Sequence, residues 1–279
     1  VGKMLTEMLD LPFFQRALLG GILVVVMLSV LSFFIVLRRI SFIGVGISHS
    51  ALGGVAVGLA LGLNTTASTT LFCAGVAVLI GFVSRRGRVR EDAAIGITFS
   101  GAMALGVVLV TVSHAYVSSL FAYLFGSILS ITSSDIYVIA AYCAVVLLFI
   151  GAFFRHLLHA SFDQDVAKVT GVPVGLLHYL LLLLIALAIV ASIKLVGIIL
   201  VSAMLVLPAA TAHQVARTYS RVLVVSLAAG LAALISGLVL SYVFDLPSGA
   251  TIVLCSCVIF FVCFTYARLR RQRSRPHGG

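Results

Sequence analysis

The sequence predicts an all-α polytopic membrane protein with about nine transmembrane helices. Composition, run length and charge placement all point there. Of 279 residues, 62% are hydrophobic and 9% charged, and mean hydropathy is +1.26; a soluble chain of this length would carry far more charge. Apolar runs near the ~20 residues that one crossing helix needs recur along it. The basic residues gather in short loops between those runs and in the tail, where they act as topology signals. A net charge of +10 therefore reports membrane sidedness and gives no case for nucleic acid as a partner.

Residues 1–14 read as a short interfacial segment with both signs of charge, Lys3 against Glu7 and Asp10, and no cleavable signal peptide. The first span, 17–37, stops at Arg38 and Arg39, which place its end in the cytoplasm. The second, 42–62, is rich in glycine. Gly46, Ser50, Gly54, Gly58 and Gly62 recur every four residues and form a stripe of very small side chains that another helix can approach closely. His49 sits beside that stripe, with Gly53 one turn further along its own face. An ionisable group at that depth faces protein or water rather than lipid. It is either an interhelical hydrogen-bond donor or part of an ion route.

Asn64, Thr65 and Thr66 lead to the third span, 67–84, which returns to the basic loop of Arg85, Arg86, Arg88 and Arg90. The fourth, 93–112, ends outside near Ser113 and His114. The segment 116–134, broken by Gly126 and Thr132, reads as a re-entrant or interfacial helix. Counted as a full crossing, it would put the next basic loop on the wrong side. The fifth span, 136–154, runs inward to Arg155.

The stretch 155–173 is the longest polar segment between spans and contains His156, His159, Asp163, Asp165 and Lys168. Within it Phe162, Val166 and Val169 fall at helical spacing. That fits a short cytoplasmic surface helix offering an apolar face to a partner, with an ordinary solvated loop as the plainer alternative. Spans six and seven occupy 175–192 and 195–211, with Lys194 at the outer turn, and Pro208 is expected to kink the seventh near its inner end. The eighth, 222–243, carries a second small-residue face of Ser226, Gly230, Ala233, Gly237 and Ser241. Asp245, Pro247, Ser248 and Gly249 form the last outer turn. The ninth, 250–267, delivers a basic cytoplasmic tail, 268–279. The chain reads as one transmembrane domain, 1–279. Nine crossings satisfy every charged loop, and eight remain possible if one closely spaced segment fails to cross.

The polar census narrows the function. Glu7, Asp10, Glu91, Asp92, Asp135, Asp163, Asp165 and Asp245 all fall at or beyond span ends. An ion-gradient transporter usually needs a buried acid, so that coupling is disfavoured. Ser48 and Ser50 adjoin His49 in sequence, and residues one apart share no helical face, which speaks against a hydrolase. No Walker-type loop occurs, so energy has to arrive from another subunit, for which 155–173 is the natural receiver. Cys73, Cys143, Cys255, Cys257 and Cys263 lie in spans and read as packing residues.

Several motifs recur in a specific order: Arg38-Arg39, Gly44, Ser48-His49-Ser50, Glu91-Asp92, Ile95-Gly96-Ile97, Ala122 to Gly126, Asp163 to Gly171, Val196-Gly197, Leu207 to Ala212 and Asp245 to Gly249. Together they resemble the membrane permease subunit of bacterial ABC importers for divalent metals, the zinc, manganese and iron family, over nearly the whole chain. The resemblance implies a multi-pass protein of the bacterial inner (plasma) membrane that performs no covalent chemistry and holds no permanent cofactor. Its cargo would be a divalent metal ion. Its partners would be two cytoplasmic ATPase subunits that bind the ATP, a second permease, identical or paralogous, and an extracytoplasmic metal-binding protein.

The resemblance also implies residue roles. Phe162, Asp163, Asp165, Val166, Ala167, Lys168, Val169 and Gly171 correspond to a coupling helix that docks on the ATPase. Gly46, Ser50, Gly53, Gly54 and Gly58 would pack the path helix, and His49 would touch the ion. The family's path helix reads Gly-Asp-x-x-(Ser/Ala)-His, and here Val45 stands at the Asp position. A lone imidazole suits zinc or another borderline metal better than manganese, unless a partner carboxylate or bound water completes the shell. His114, His156, His159, His178 and His213 are weaker candidates, and Met103 and Met204 read as packing. The alternatives are a permease for a metal chelate, of siderophore or cobalamin type, and a membrane scaffold without a transport path.

Overall fold

The computed structural model describes residues 12–87, 89–113, 126 and 132–273. Its helices are α1 (Pro12–Leu37), α2 (Ile43–Ala60), α3 (Thr65–Arg86), α4 (Glu91–Ser113), α5 (Ser133–Phe162), α6 (Gln164–Val169), α7 (Val174–Met204), α8 (Leu207–Val215), α9 (Tyr219–Phe244) and α10 (Ser248–Arg273). Among the described residues, nine helical segments are long and apolar enough to cross a membrane. Most of the expected interfacial segment 1–14, most of the expected re-entrant helix 116–134, and His114 lie outside the described residues.

The helices form a bundle whose centre is made by α1 and α7. Met27, Leu28, Leu31 and Phe34 of α1 and Leu181, Ile185 and Ile189 of α7 are fully buried. The outer helices α3, α4, α5 and α10 instead expose Leu71, Val107, Leu148 and Phe261, as helices bordered by lipid do. Local chemistry sets several of the ends. Asn64 caps α3 by accepting from the backbone N–H groups of Thr66 and Ala67. Thr132 and Asp135 form a reciprocal capping box at the start of α5. Asp245 ends α9 in the left-handed conformation, φ 52°.

The structure corrects the expected boundaries in three places. Residues 155–162 belong to α5 and not to a loop. Arg155, His156 and His159 are exposed while Leu157 and Ala160 are buried, so this polar stretch is an amphipathic last two turns. The break between spans six and seven is not at Lys194, where the backbone stays helical, but at Gly197, with φ 76° and ψ 165°. Only glycine adopts that conformation without strain. Gly126 rests against this break: a Cβ there would lie 2.9 Å from the Leu195 carbonyl oxygen.

The third correction concerns Pro208, which does not kink a continuous helix. The helix stops at Met204 and restarts at Leu207, with Pro208 in the first turn of α8, where a missing N–H costs nothing. The interruption is inside the bundle, so its freed backbone groups need partners. Buried Ser32 supplies them, accepting from the Ala209 N–H at 3.2 Å and donating to the Val206 carbonyl at 3.4 Å.

Four glycines of α2 serve two neighbours, and Gly44 meets Leu205. Gly46 and Gly53 meet α4, and Gly54 and Gly58 meet α3. A Cβ on Gly53 would lie 2.7 Å from the Ala102 carbonyl oxygen, and one on Gly54 2.7 Å from Thr69 Cα. Ser50 turns its hydroxyl onto the Gly46 carbonyl at 2.7 Å and so adds no bulk. Because the atoms opposite are backbone, a side chain there has to push whole helices apart, at about 1–3 kcal/mol or more. Gly53→Val is therefore expected to reduce the yield of monodisperse protein severalfold by size-exclusion chromatography. An unchanged elution profile would contradict the close α2–α4 approach.

Candidate functional site

His49 lies six residues into α2, about 9 Å along its axis from Ile43. It is half-buried and shares a face with Gly46 and Gly53. That face meets Ile95, Phe99 and Ala102 of α4, with the His49 ring edge-on to Phe99 at 5.5 Å. The His49 Nδ1 is 2.9 Å from the Val45 carbonyl oxygen. A carbonyl can only accept, so Nδ1 carries the proton. With the proton on Nδ1, the lone pair of the neutral form lies on Nε2, the atom that ligates a metal when the other nitrogen is held in this way.

Val45 thus orients the imidazole through its backbone carbonyl. Ser48, beside it, bonds to Ser202 of α7 at 2.8 Å, which ties α2 to the interrupted span. Among the described residues there is no group of three or more His, Cys, Asp or Glu that could hold a metal. Met204 is buried and Met103 is partly exposed.

The two ends of the bundle differ. At one end a mainly apolar cavity of about 370 Å³ is bordered by Asn64, Thr66, Asp135, Tyr142 and Ile193. At the other end, which bears the arginines, Arg38 Nε donates to Ser161 Oγ at 2.9 Å, and Glu91 lies beside His178. Burial pushes the Arg38 guanidinium down to about 10, with Glu91 opposing the shift, so it remains charged at neutral pH. The segments at each end are those that the alternating topology assigns to one side.

The short surface helix α6 sits at the arginine-bearing end. Asp163 begins it, its Oδ1 accepting from the N–H groups of Asp165 and Val166 at 2.9 and 3.1 Å. Gly171, at φ 80°, ends it with paired bonds from the Gly171 N–H to the Lys168 carbonyl and from the Val172 N–H to the Ala167 carbonyl. This is a Schellman closure that favours glycine. Ala167 is buried, which seats the helix on the bundle. Phe162, Val166 and Val169 are 64%, 60% and 89% exposed. Lys168 pairs with Asp165 at 2.9 Å, and this hydrogen bond lowers the carboxyl below its ordinary range. Both groups are solvated, so the pair adds little stability.

Of the remaining histidines, His156, His159 and His213 are exposed, whereas His178 is buried against Glu91. Sequence reasoning missed that pairing, the Arg38–Ser161 bond and the Ser32 cap. Each joins residues far apart in the chain, for which no local signal exists.

The chain matches the ABC 3 transport family over residues 10–267. It is 38% identical over 263 residues to the manganese transport system membrane protein MntC of Listeria monocytogenes, covering 94% of each chain. It is also 38% identical over 266 residues to the manganese import system permease protein ScaB of Streptococcus gordonii, covering 95% of each. Among solved structures it is similar to PsaBC from Streptococcus pneumoniae in complex with Fab, with a TM-score of 0.84 and 34% identity over 96% of this chain and 99% of that one. The order of its helices, the chemistry of their ends and these relationships together show that the chain belongs to the ABC 3 transport family, as one of its multi-pass permeases in the bacterial plasma membrane.

Proposed function

We propose that this permease carries manganese(II) into the cytoplasm, driven by ATP that partner subunits hydrolyse, after delivery by an extracytoplasmic binding protein. The observation that carries the reading is the His49 imidazole, held by its Nδ1–H on the Val45 carbonyl so that Nε2 is free to meet a cation within the membrane. The 38% identity to two proteins named for manganese transport supports the choice of metal.

Manganese is a hard ion that prefers oxygen, and one imidazole holds it weakly. Oxygen donors from water or from a second permease complete the shell. Weak binding suits a passage, since the ion has to leave as readily as it enters. The exposed Phe162, Val166 and Val169 face is the docking surface for the ATPase. Closure of an ATPase pair moves α6, and with it the α5 and α7 ends to which it is seated, as rigid bodies.

The test is uptake of radioactive manganese into cells that lack other importers, with and without a co-expressed ATPase subunit. Uptake is expected only with an ATPase competent in hydrolysis. Excess unlabelled manganese is expected to compete, whereas zinc and siderophore-bound iron are expected to compete at least about tenfold less well. ATP-independent uptake, or equal competition by a chelate, would contradict the proposal.

A further inference from the structure

At the arginine-bearing end, a polar cavity of about 200 Å³ is lined by Ser84, Arg85, Glu91, Gln164, Val174 and His178. His178 is 9% exposed, and its Nε2, 3.4 Å from Glu91 Oε1, is buried with no hydrogen-bond partner among the described residues. A buried ring nitrogen left in that state is costly and calls for a cause. Two donors in adjacent positions around a first-row divalent ion, at bond lengths of about 2.0–2.2 Å, stand about 3.0–3.5 Å apart. The carboxylate oxygen and the imidazole nitrogen already have that spacing, and Ser84 and Gln164 line the same cavity.

We infer that Glu91 and His178 form a low-affinity release site for the divalent cation at the cytoplasmic end of the permease. This rests on the transport reading above. The Arg38 and Arg85 guanidiniums act on both groups, and Asp92 acts on Glu91. The two positive charges weaken cation binding, and the last station of an import route needs weak binding. Gln164 is the first residue of α6, so a movement of that helix reshapes the cavity. Docking of the ATPase is thereby linked to loss of the ion into the cytoplasm.

The experiment is a manganese(II) titration of the full chain in lipid nanodiscs, with free ion read by electron paramagnetic resonance. Wild type is expected to show two classes of site, the second at least about tenfold weaker than the first. Glu91→Gln and His178→Gln are each expected to weaken the second class at least about tenfold further and to leave the first in place, which also shows that the chain is folded. His49→Ala is expected to do the reverse. Titrations of both cavity variants that superimpose on wild type would overturn the release site. If Glu91→Gln does not yield monodisperse protein, Glu91→Asp keeps the charge that faces the arginines and moves the carboxylate back. It is expected to weaken only the second class, and an unchanged second class would overturn the proposal equally. A wild-type chain with only the weaker class, lost in Glu91→Gln, would refute the role of His49 and leave the release site standing.

Discussion

Replacing His49 with alanine is expected to lower manganese uptake by about 10- to 100-fold while the chain still inserts and still associates with its ATPase. The magnitude follows from the loss of a directly ligating group, since even partners that only orient a ligand are worth about that much. Folding is expected to survive because the packing that His49 supplies is small. Its ring meets the edge of Phe99 and its Nδ1 serves its own helix, so truncation costs about 1 kcal/mol of contact. The glycine contacts to α3 and α4 on either side are untouched. His49→Leu separates bulk from ligation, since it fills a similar volume without any donor atom, and it is expected to be nearly as poor. Uptake at the wild-type rate in both variants would mean that the imidazole is only an internal hydrogen-bond donor.

The second large effect is expected at the surface helix. Val166→Asp should leave ATP hydrolysis running and uptake nearly absent. Val166 is 60% exposed, so an aspartate there does not disturb the fold of the free permease. In the docking proposed above it would place a carboxylate against the partner surface that receives the valine. The contact then loses about 1.5–3 kcal/mol of valine burial and takes on several more of charge desolvation. The measured quantity is manganese transported per ATP hydrolysed by the assembled transporter. A large fall in that ratio with intact hydrolysis is the expected result, and an unchanged ratio would remove the case for α6 as the coupling element. Val166→Ala, which shortens the side chain without charge, should fall between.

The parts of the structure legible in the sequence were those with local causes. Run length and the arginine loops sufficed for the membrane spans. The Val166 and Val169 spacing sufficed for the surface helix, but Phe162, read into the same helix, instead ends α5 across an extended Asp163. What could not be read depends on distant parts of the chain meeting. The Arg155 to Phe162 turns look like loop until Leu157 and Ala160 are seen to be buried by other helices. Pro208 suggests a kink, yet the chain breaks before it because Ser32, far away in α1, can satisfy the freed groups. Glu91 looks like a loop acid and His178 an inner-surface histidine until the fold sets them side by side.

The same distinction applies to the translocation site. Glycine spacing placed His49 in a closely packed helix, but the direction of its ring depends on a carbonyl one turn away, and its neighbour Phe99 comes from another span. Val45, in place of an acid, removes the local partner on which a sequence reading would rely. What remains is a single nitrogen whose availability only the geometry reveals.

That nitrogen can be observed directly. Pulsed electron paramagnetic resonance of the permease in nanodiscs, loaded with less manganese(II) than protein so that only the tighter class fills, reports whether a ring nitrogen is bonded to the ion. The account predicts imidazole nitrogen modulation in the wild-type protein and its disappearance in His49→Ala. Modulation that persists unchanged in His49→Ala, or that is absent from wild type, would contradict it.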